Sequence, residues 1–167
     1  MKYIKAGIAV ILLVLLDQWT KALAVTHLMH TDGITLIPNV FRLYYLENRG
    51  SAFGLMQNQK VFFVVFTVIV LVGLTLLYRR IPDTKRMVPL KIAGILIYAG
   101  AIGNFIDRIR QSYVVDFFYF ELIDFPIFNV ADIYVTTAAI GLIILVIFFY
   151  KDADFEFLNH KNKKSGV

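Results

Sequence analysis

Two long apolar segments flank the stretch of sequence that decides the fold. Between them, residues 99–132 read AGAIGNFIDRIRQSYVVDFFYFELIDFPIFNVAD. Polar side chains stand where one apolar segment ends and where the next begins, and ionisable groups at such points are costly unless they are paired or used. The stretch therefore predicts a functional site at a membrane boundary. The polar side chains at these points are Asn104, Asp107, Arg108, Asp116, Asn129 and Asp132.

The composition is that of an integral membrane protein. The 167 residues are 59% hydrophobic and 17% charged, and their mean hydropathy is +0.70, which is too apolar for an ordinary soluble domain. The net charge of +5 does not indicate nucleic-acid binding, because the basic residues cluster just beyond the ends of apolar segments. The absence of cysteine excludes disulfides, thiol catalysis and Cys-ligated metal.

Four apolar segments are predicted to cross the membrane as helices, because each is close to the ~20 residues that a span requires. The first is expected to be retained and not cleaved as a signal peptide, since Asp17 and Lys21 fall inside it. The whole chain is expected to form a single membrane domain. The predicted spans are 4–25, 61–78, 88–107 and 131–150, with outer loops 26–60 and 108–130 and a polar tail 151–167.

The basic residues predict how the spans are oriented. Eleven of the 17 Lys and Arg residues lie in three segments that must share one side of the membrane. The positive-inside rule makes that side the cytoplasm, so both termini are expected there and the acidic stretch at the outer face. The eleven residues are Lys2, Lys5, Arg79, Arg80, Lys85, Arg86, Lys91, Lys151, Lys161, Lys163 and Lys164.

The first outer loop is predicted to carry a small β-element that lies on the membrane. Residues 34–37 and 41–46 are short β-branched and aromatic runs separated by a Pro-Asn turn. Residues 47–54 fit either a lip that holds an extended peptide or an ordinary interfacial loop. Their glycines allow close backbone approach, and Asn48 can donate and accept hydrogen bonds. His27 and His30 lack a third ligand at a convincing spacing, so no metal is expected.

Helical spacing predicts which polar residues share a face. Asp17 and Lys21 are four residues apart and are predicted to form an ion pair inside the bundle. Asn104, Asp107 and Arg108 also share one face, which favours a polar cluster of Asp107 and Arg108 at the end of the third helix. Asn129 and Asp132 repeat the three-residue spacing where the fourth helix begins.

Paired carboxyl groups at a water–lipid boundary have a specific chemical use. Two of them cannot both ionise cheaply, so one keeps a proton near neutral pH. In aspartyl hydrolysis the ionised carboxylate takes a proton from water while the protonated one hydrogen-bonds to the scissile carbonyl, with no metal, cofactor or covalent enzyme intermediate. Spacing leaves Asp107, Asp116 and Asp132 open as members of the pair, and each could instead serve as a cap or an ion-pair partner.

Five motifs of the sequence resemble, in order, those of the lipoprotein signal peptidase family, the bacterial signal peptidase II enzymes. The motifs are DQWTK at 17–21, NRGSAF at 48–53, GNFIDR at 103–108, VVDF at 114–117 and FNVAD at 128–132. The resemblance implies a mainly α membrane protein with four transmembrane helices, a small extracytoplasmic β-cradle and a partly helical outer loop. It also implies an aspartic endopeptidase of the bacterial inner membrane that removes signal peptides from prolipoproteins, cutting before a diacylglyceryl-modified cysteine.

The resemblance also implies residue roles. Asp116 and Asp132 become the catalytic dyad, and Asp107 becomes a supporting residue beside Arg108. The dipole at the start of the fourth helix favours an anion, so Asp132 is predicted to be the more often ionised of the two. Further residues at family positions that bind substrate or support the site are Asn48, Gly50, Asn104, Asn129, Asp17 and Lys21.

The expected partners are lipid-modified prolipoproteins and membrane lipid, without nucleic acid, and the protein is expected to act as a monomer. Ser51 stands where the family often has Ala, and residues 117–125 are unlike the family, which leaves the shape of the covering loop and the substrate preference open.

Two other functions compete with this interpretation. A small proton-coupled transporter would also use intramembrane acids, but here the acids gather at one boundary and no internal repeat is present. A serine–lysine protease could use Ser51, but it needs a base within hydrogen-bond reach, and neither Lys21 nor Lys60 has an evident reason to lie there.

Overall fold

The computed structural model describes residues 2–50 and 59–158. It contains four long helices and three strands within these ranges. The helices are α1 (Lys2–Leu28), α2 (Lys60–Arg80), α3 (Val88–Gln111) and α4 (Val130–Ile144), and a π-helical segment Leu145–Phe149 continues α4. The strands are β1 (Ile34–Ile37), β2 (Phe41–Asn48) and β3 (Val114–Tyr119), and 3-10 turns occupy Lys85–Met87, Glu121–Ile123 and Asp152–Leu158.

Some sequence-based expectations lie outside the described residues. The segment 47–54 is described only as far as Gly50, so Ser51 and the remainder of the NRGSAF motif lie beyond the description. The tail is described as far as Leu158, which leaves out Lys161, Lys163 and Lys164.

The prediction of four spans is confirmed. In the described part of the chain, four helices are long and apolar enough to cross a membrane. No residue of α2 is buried within the protein, as expected for a helix whose apolar surface faces lipid and not a protein core. Most helices continue a few residues beyond the predicted apolar segments, because polar residues can extend a helix into the interfacial region once it has started.

A three-stranded antiparallel sheet in the order β1-β2-β3 lies beside the bundle. The sequence predicted β1 and β2, but it did not predict β3, which pairs with β2 and brings Asp116 opposite Leu46. Packing of Val115 and Phe117 against Ala24 and Leu28 of α1 holds the sheet on the helices. The segment 108–130, which also contains a short 3-10 turn, is thereby joined to the segment 26–60.

Close packing around α3 positions the polar residues of the bundle. A Cβ atom added at Gly100 would lie 2.5 Å from the carbonyl oxygen of Ala131, and one at Gly103 would lie 2.5 Å from Oδ2 of Asp17. Only glycine therefore allows α3 to approach α1 and α4 this closely.

Replacing Gly103 with Ala is expected to destabilise the protein by about 1–3 kcal/mol, because the methyl group must displace a buried carboxylate that is already held by other groups. The matched control is Gly94→Ala, since a Cβ at Gly94 would make an ordinary 3.6 Å contact with Tyr78. Thermal unfolding in detergent is the measurement. Equal melting temperatures for the two variants would contradict this account of the packing.

Candidate active site

The Asp116 carboxyl group lies at the centre of a buried hydrogen-bonded site. The residue is 1% exposed and projects from β3, where its neighbours on the strand are also buried. Nδ2 of Asn48, at the end of β2, donates to Asp116 Oδ2 at 2.8 Å. Nδ2 of Asn129 donates to Asp116 Oδ1 at 2.6 Å. Both carboxyl oxygens therefore accept an amide hydrogen bond.

Asp132 occupies the third position of α4 and takes part in the N-terminal cap of that helix. Its Oδ2 accepts from the backbone N–H of Asn129 at 3.1 Å, and its own N–H donates to Asn129 Oδ1 at 3.1 Å. This reciprocal arrangement is a capping box, in which two otherwise unpaired N–H groups are satisfied. Asp132 Oδ1 accepts a further hydrogen bond from Nδ2 of Asn104 at 2.8 Å.

Asn129 joins the two carboxyl groups. Its side-chain amide contacts Asp116, while its backbone N–H and side-chain oxygen contact Asp132. Asn129 is fully buried, and its Nδ2 also lies 3.2 Å from Oδ1 of Asn104. The donors that surround Asp116 and Asp132 are thereby oriented toward the two carboxyl groups.

A buried cluster of charged groups lies behind the two carboxyl groups. The Lys21 ammonium group is 3.0 Å from Asp17 Oδ2 and 2.9 Å from Asp107 Oδ2. All three residues are less than 5% exposed, so each charge depends on its partners for stabilisation. Lys21 also donates to Asn104 Oδ1 at 2.9 Å, which directs the amide nitrogen of Asn104 toward Asp132.

This charged cluster contacts both elements that carry the paired carboxyl groups. Asp17 Oδ1 accepts from the backbone N–H of Ala131 at 2.9 Å, at the start of α4. Asp107 Oδ2 accepts from the N–H of Val115 at 3.3 Å, next to Asp116 on β3. The cluster therefore fixes the positions of α4 and β3 relative to α1 and α3.

Arg108 and Gly50 lie at the edge of the site. The guanidinium group of Arg108 lies 4.7 Å from the centre of the Phe63 ring, a cation–π geometry. It also makes long contacts with the carbonyl oxygens of Asn104, at 3.4 Å, and Gly50, at 3.5 Å. Gly50 is buried, and its N–H donates to Asn48 Oδ1 at 3.1 Å, which leaves the amide nitrogen of Asn48 free to donate to Asp116.

The environment of Asp116 favours its protonated form. Burial, assisted by repulsion from the Asp132 carboxylate, raises the pKa of Asp116 from 3.8 to about 7. The hydrogen bonds from Asn48 and Asn129 oppose this shift and do not cancel it. A carboxyl group with a pKa near neutrality can hold or release a proton under ordinary conditions, as acid–base catalysis requires.

The structure brings together all ten residues that the sequence assigned to the site, which are Asp17, Lys21, Asn48, Gly50, Asn104, Asp107, Arg108, Asp116, Asn129 and Asp132. The sequence predicted a polar cluster of Asp107 with Arg108 and did not predict that Lys21, on α1, is the ion-pair partner of Asp107.

The sequence analysis missed the part played by Gln18. Its Nε2 lies 3.2 Å from Asp17 Oδ2 and 3.0 Å from Asp107 Oδ1. The signal that could have identified it is a second polar side chain directly after Asp17, inside a mostly apolar segment.

The fold and the site define a multi-pass membrane protein. At one end of its helix bundle, two carboxyl groups are linked through their hydrogen bonds to Asn129. Comparison with known protein families identifies the family, because the family model for signal peptidase (SPase) II matches residues 9–149 of this chain. The chain belongs to the signal peptidase II family and is a bacterial membrane peptidase.

Similar proteins agree with this membership over most of the chain. A lipoprotein signal peptidase of Streptococcus thermophilus (strain CNRZ 1066) is 43% identical over 152 residues, covering 91% of this chain and 96% of the relative. A lipoprotein signal peptidase of Streptococcus pyogenes serotype M5 (strain Manfredo) is 42% identical over 148 residues, covering 89% of this chain and 94% of the relative.

Two solved structures share the fold. A bacterial membrane enzyme structure obtained by the in meso method at 2.3 Å has a TM-score of 0.77 and 31% identity, covering 98% of this chain and 93% of that one. A second, at 1.9 Å, has a TM-score of 0.75 and 32% identity, covering 87% of this chain and 94% of that one.

Proposed function

We propose that this signal peptidase removes the signal peptide of prolipoproteins as an aspartic endopeptidase, with Asp116 and Asp132 as its catalytic dyad. The observation that carries the proposal is the position of Asn129, whose amide and backbone contact both carboxyl groups. Two carboxyl groups held side by side in a buried site are the arrangement in which one stays protonated and the other ionised.

The two members of the dyad have different roles. Each carboxyl group accepts two N–H donors, but only Asp132 lies at the positive end of the α4 dipole, which favours an anion, so Asp132 is the ionised base. Asp116, whose pKa is raised to about 7, carries the shared proton. Asp132 takes a proton from a water molecule, and the resulting hydroxide attacks the scissile carbonyl while Asp116 donates its hydrogen bond to the carbonyl oxygen. Collapse of the tetrahedral intermediate breaks the C–N bond, and Asp132 gives the proton that it took from water to the leaving amine. Asp132 is then ionised again, and Asp116 has kept its proton.

The location of the site matches the substrate. The dyad lies beyond the last turn of α3 and at the first turn of α4, so it is at the end of two membrane-spanning helices. A signal peptide that ends at a lipid-modified cysteine presents its scissile bond at such a boundary. The distribution of Lys and Arg supports cytoplasmic termini and a dyad at the outer face. We propose that the protein acts there as a monomer.

The pH dependence of cleavage follows from the protonated role of Asp116. Its folded-state pKa is raised, so the active protonated form is present below about 7 and is lost as the pH rises through that value. The value of kcat/KM is therefore expected to fall above about pH 7, by roughly tenfold per pH unit once Asp116 is mostly ionised. A pH profile in detergent micelles is the measurement, and a rate that keeps rising to about pH 9 would oppose the assignment.

The substrate class is tested by comparing two forms of one prolipoprotein, with and without diacylglyceryl modification of its cysteine. A gel-shift assay in micelles is expected to show cleavage of the modified form and little or none of the unmodified form. Equal cleavage of the two would show that the lipid is not required, and no cleavage of either by folded protein would overturn the proposed substrate.

The competing functions receive less support. Lys21 is buried between Asp17 and Asp107, and Lys60 lies 3.0 Å from Ser112, so each lysine already has partners of its own. Neither arrangement favours a lysine base for a serine nucleophile. A proton-coupled transporter would need a path for protons across the bundle, whereas the paired acids are concentrated at one end.

A further inference from the structure

An apolar cavity lies at the end of the helix bundle that is opposite the dyad. Its volume is about 260 Å³, and its walls come mainly from α1, α2 and α3. Gly7, Leu74, Tyr78, Arg79, Gly94 and Tyr98 are among the residues that line it. On α4 its lining residue Leu142 lies about 15 Å along the helix axis from Asp132, so the cavity is separate from the two carboxyl groups.

The way the helices pack leaves this space open. α2 packs on α3, α1 packs on α3 and α4, and the rings of Tyr3 and Tyr78 approach to 6.5 Å at one end of the cavity. Glycine adds to the space, because a Cβ atom at Gly7 would meet no other atom within 4 Å. The cavity is a groove between α1 and α2.

The surroundings of the groove determine what can fill it. The helices that form it are the membrane-spanning ones, so the adjacent medium is hydrocarbon. Apolar cavities of about 150 Å³ in soluble proteins stay dry and accept small apolar ligands. We expect an apolar groove that borders a bilayer to be filled in the same way, by the acyl chains of the surrounding lipids.

A cationic side chain stands at the mouth of the groove. Arg79, in the last turn of α2, both lines the groove and is exposed. Neither Arg79 nor the following Arg80 forms an ion pair with another residue in the ranges 2–50 and 59–158. Basic pockets between transmembrane helices favour the phosphate groups of anionic lipids.

We propose that the groove between α1 and α2 binds one acyl chain of an anionic phospholipid, whose phosphate contacts the Arg79 guanidinium group. The lipid comes from the leaflet at the α2–α3 turn, which is the leaflet away from the dyad. The site is independent of the peptidase mechanism, since none of its lining residues contacts Asp116 or Asp132.

Native mass spectrometry of the purified protein tests this site, with phosphatidylglycerol and phosphatidylcholine of identical chains added to the detergent. The wild type is expected to retain one phosphatidylglycerol molecule in preference to phosphatidylcholine. Arg79→Gln is expected to weaken phosphatidylglycerol binding about fivefold and to remove the preference. Gly7→Phe, which fills the groove, is expected to abolish retention of both lipids.

Matched controls are present in the same helices. Arg80→Gln removes an adjacent charge that does not line the groove, and Gly73→Phe adds a ring at another position where a Cβ would meet nothing within 4 Å. Both are expected to bind lipid like the wild type. Equal retention of the two lipids by the wild type, or equal loss in Arg79→Gln and Arg80→Gln, would overturn the proposal. It would also be overturned if Gly7→Phe slowed prolipoprotein cleavage without changing lipid retention, because the groove would then belong to the substrate.

Discussion

Asn in place of either Asp116 or Asp132 is expected to abolish signal-peptide cleavage while the protein still folds. An amide can neither take a proton from water nor hold the proton that the dyad shares, and positioned acid–base groups contribute about 10²–10⁴-fold each. In the proposed mechanism the two residues act as one unit, so either single change is expected to cost about as much as both together. The measurement is the gel-shift assay on a diacylglyceryl-modified prolipoprotein.

The control for this pair of variants is Asp124→Asn. Asp124 lies in the same segment between α3 and α4 as Asp116, is exposed, and accepts a hydrogen bond from the Tyr119 hydroxyl at 2.6 Å. Its backbone is left-handed, with φ of 46°, a conformation that Asn tolerates. Cleavage at the normal rate is expected. Normal turnover by Asp116→Asn or Asp132→Asn would remove that residue from the dyad.

Lys21→Met is expected to lower both stability and activity. Met has a similar length without the charge, so Asp17 and Asp107 lose the ammonium group that lies within 3.0 Å of both. Removing one member of a buried ion-pair cluster typically costs about 3–5 kcal/mol. The two carboxylates also position the backbone at Ala131 and Val115, beside the dyad. Thermal unfolding and the cleavage rate are the two measurements.

A second variant separates positioning from folding. In Lys21→Met/Asp107→Asn one unpaired carboxylate is neutralised, so part of the lost stability is expected to return. The cleavage rate is expected to stay low, because Asn104 no longer has the Lys21 donor that directs its amide toward Asp132. Lys60→Met is the control. Lys60 is near the surface, so its replacement should change the free energy of unfolding by no more than about 0.5 kcal/mol. Full activity in the double variant would show that Lys21 serves only to stabilise the fold.

The four spans could be predicted from sequence because the hydrocarbon core imposes a length and a polarity on every helix that crosses it. The strand β3 could not be predicted from the sequence in this way. Its VVDFFY run is β-prone, but a strand needs a partner, and that partner is β2, from the segment between α1 and α2. Sequence periodicity reports local structure and carries no information about which distant segment will pair.

The site shows the same division between local and distant contacts. Spacing correctly placed Asp17 with Lys21 on one face of α1. It could not show that Lys21 also reaches Asn104, 83 residues away in the chain, or that Asp107 faces Lys21 and not Arg108. Nor could spacing select two acids from three. The family motifs supplied that choice, and the hydrogen bonds of Asn129 give a physical reason for it.

Isotope-edited infrared spectroscopy of the free enzyme tests the central claim most directly, because it detects protonated carboxyl groups. With labelled aspartate at about pH 6, we expect the dyad to contribute one protonated carboxyl band, since one proton is shared between its two members. The band should disappear in Asp116→Asn and remain in Asp132→Asn. Loss of the band only in Asp132→Asn would reverse the assigned roles. The absence of any protonated carboxyl group in the wild type would contradict the shared-proton dyad.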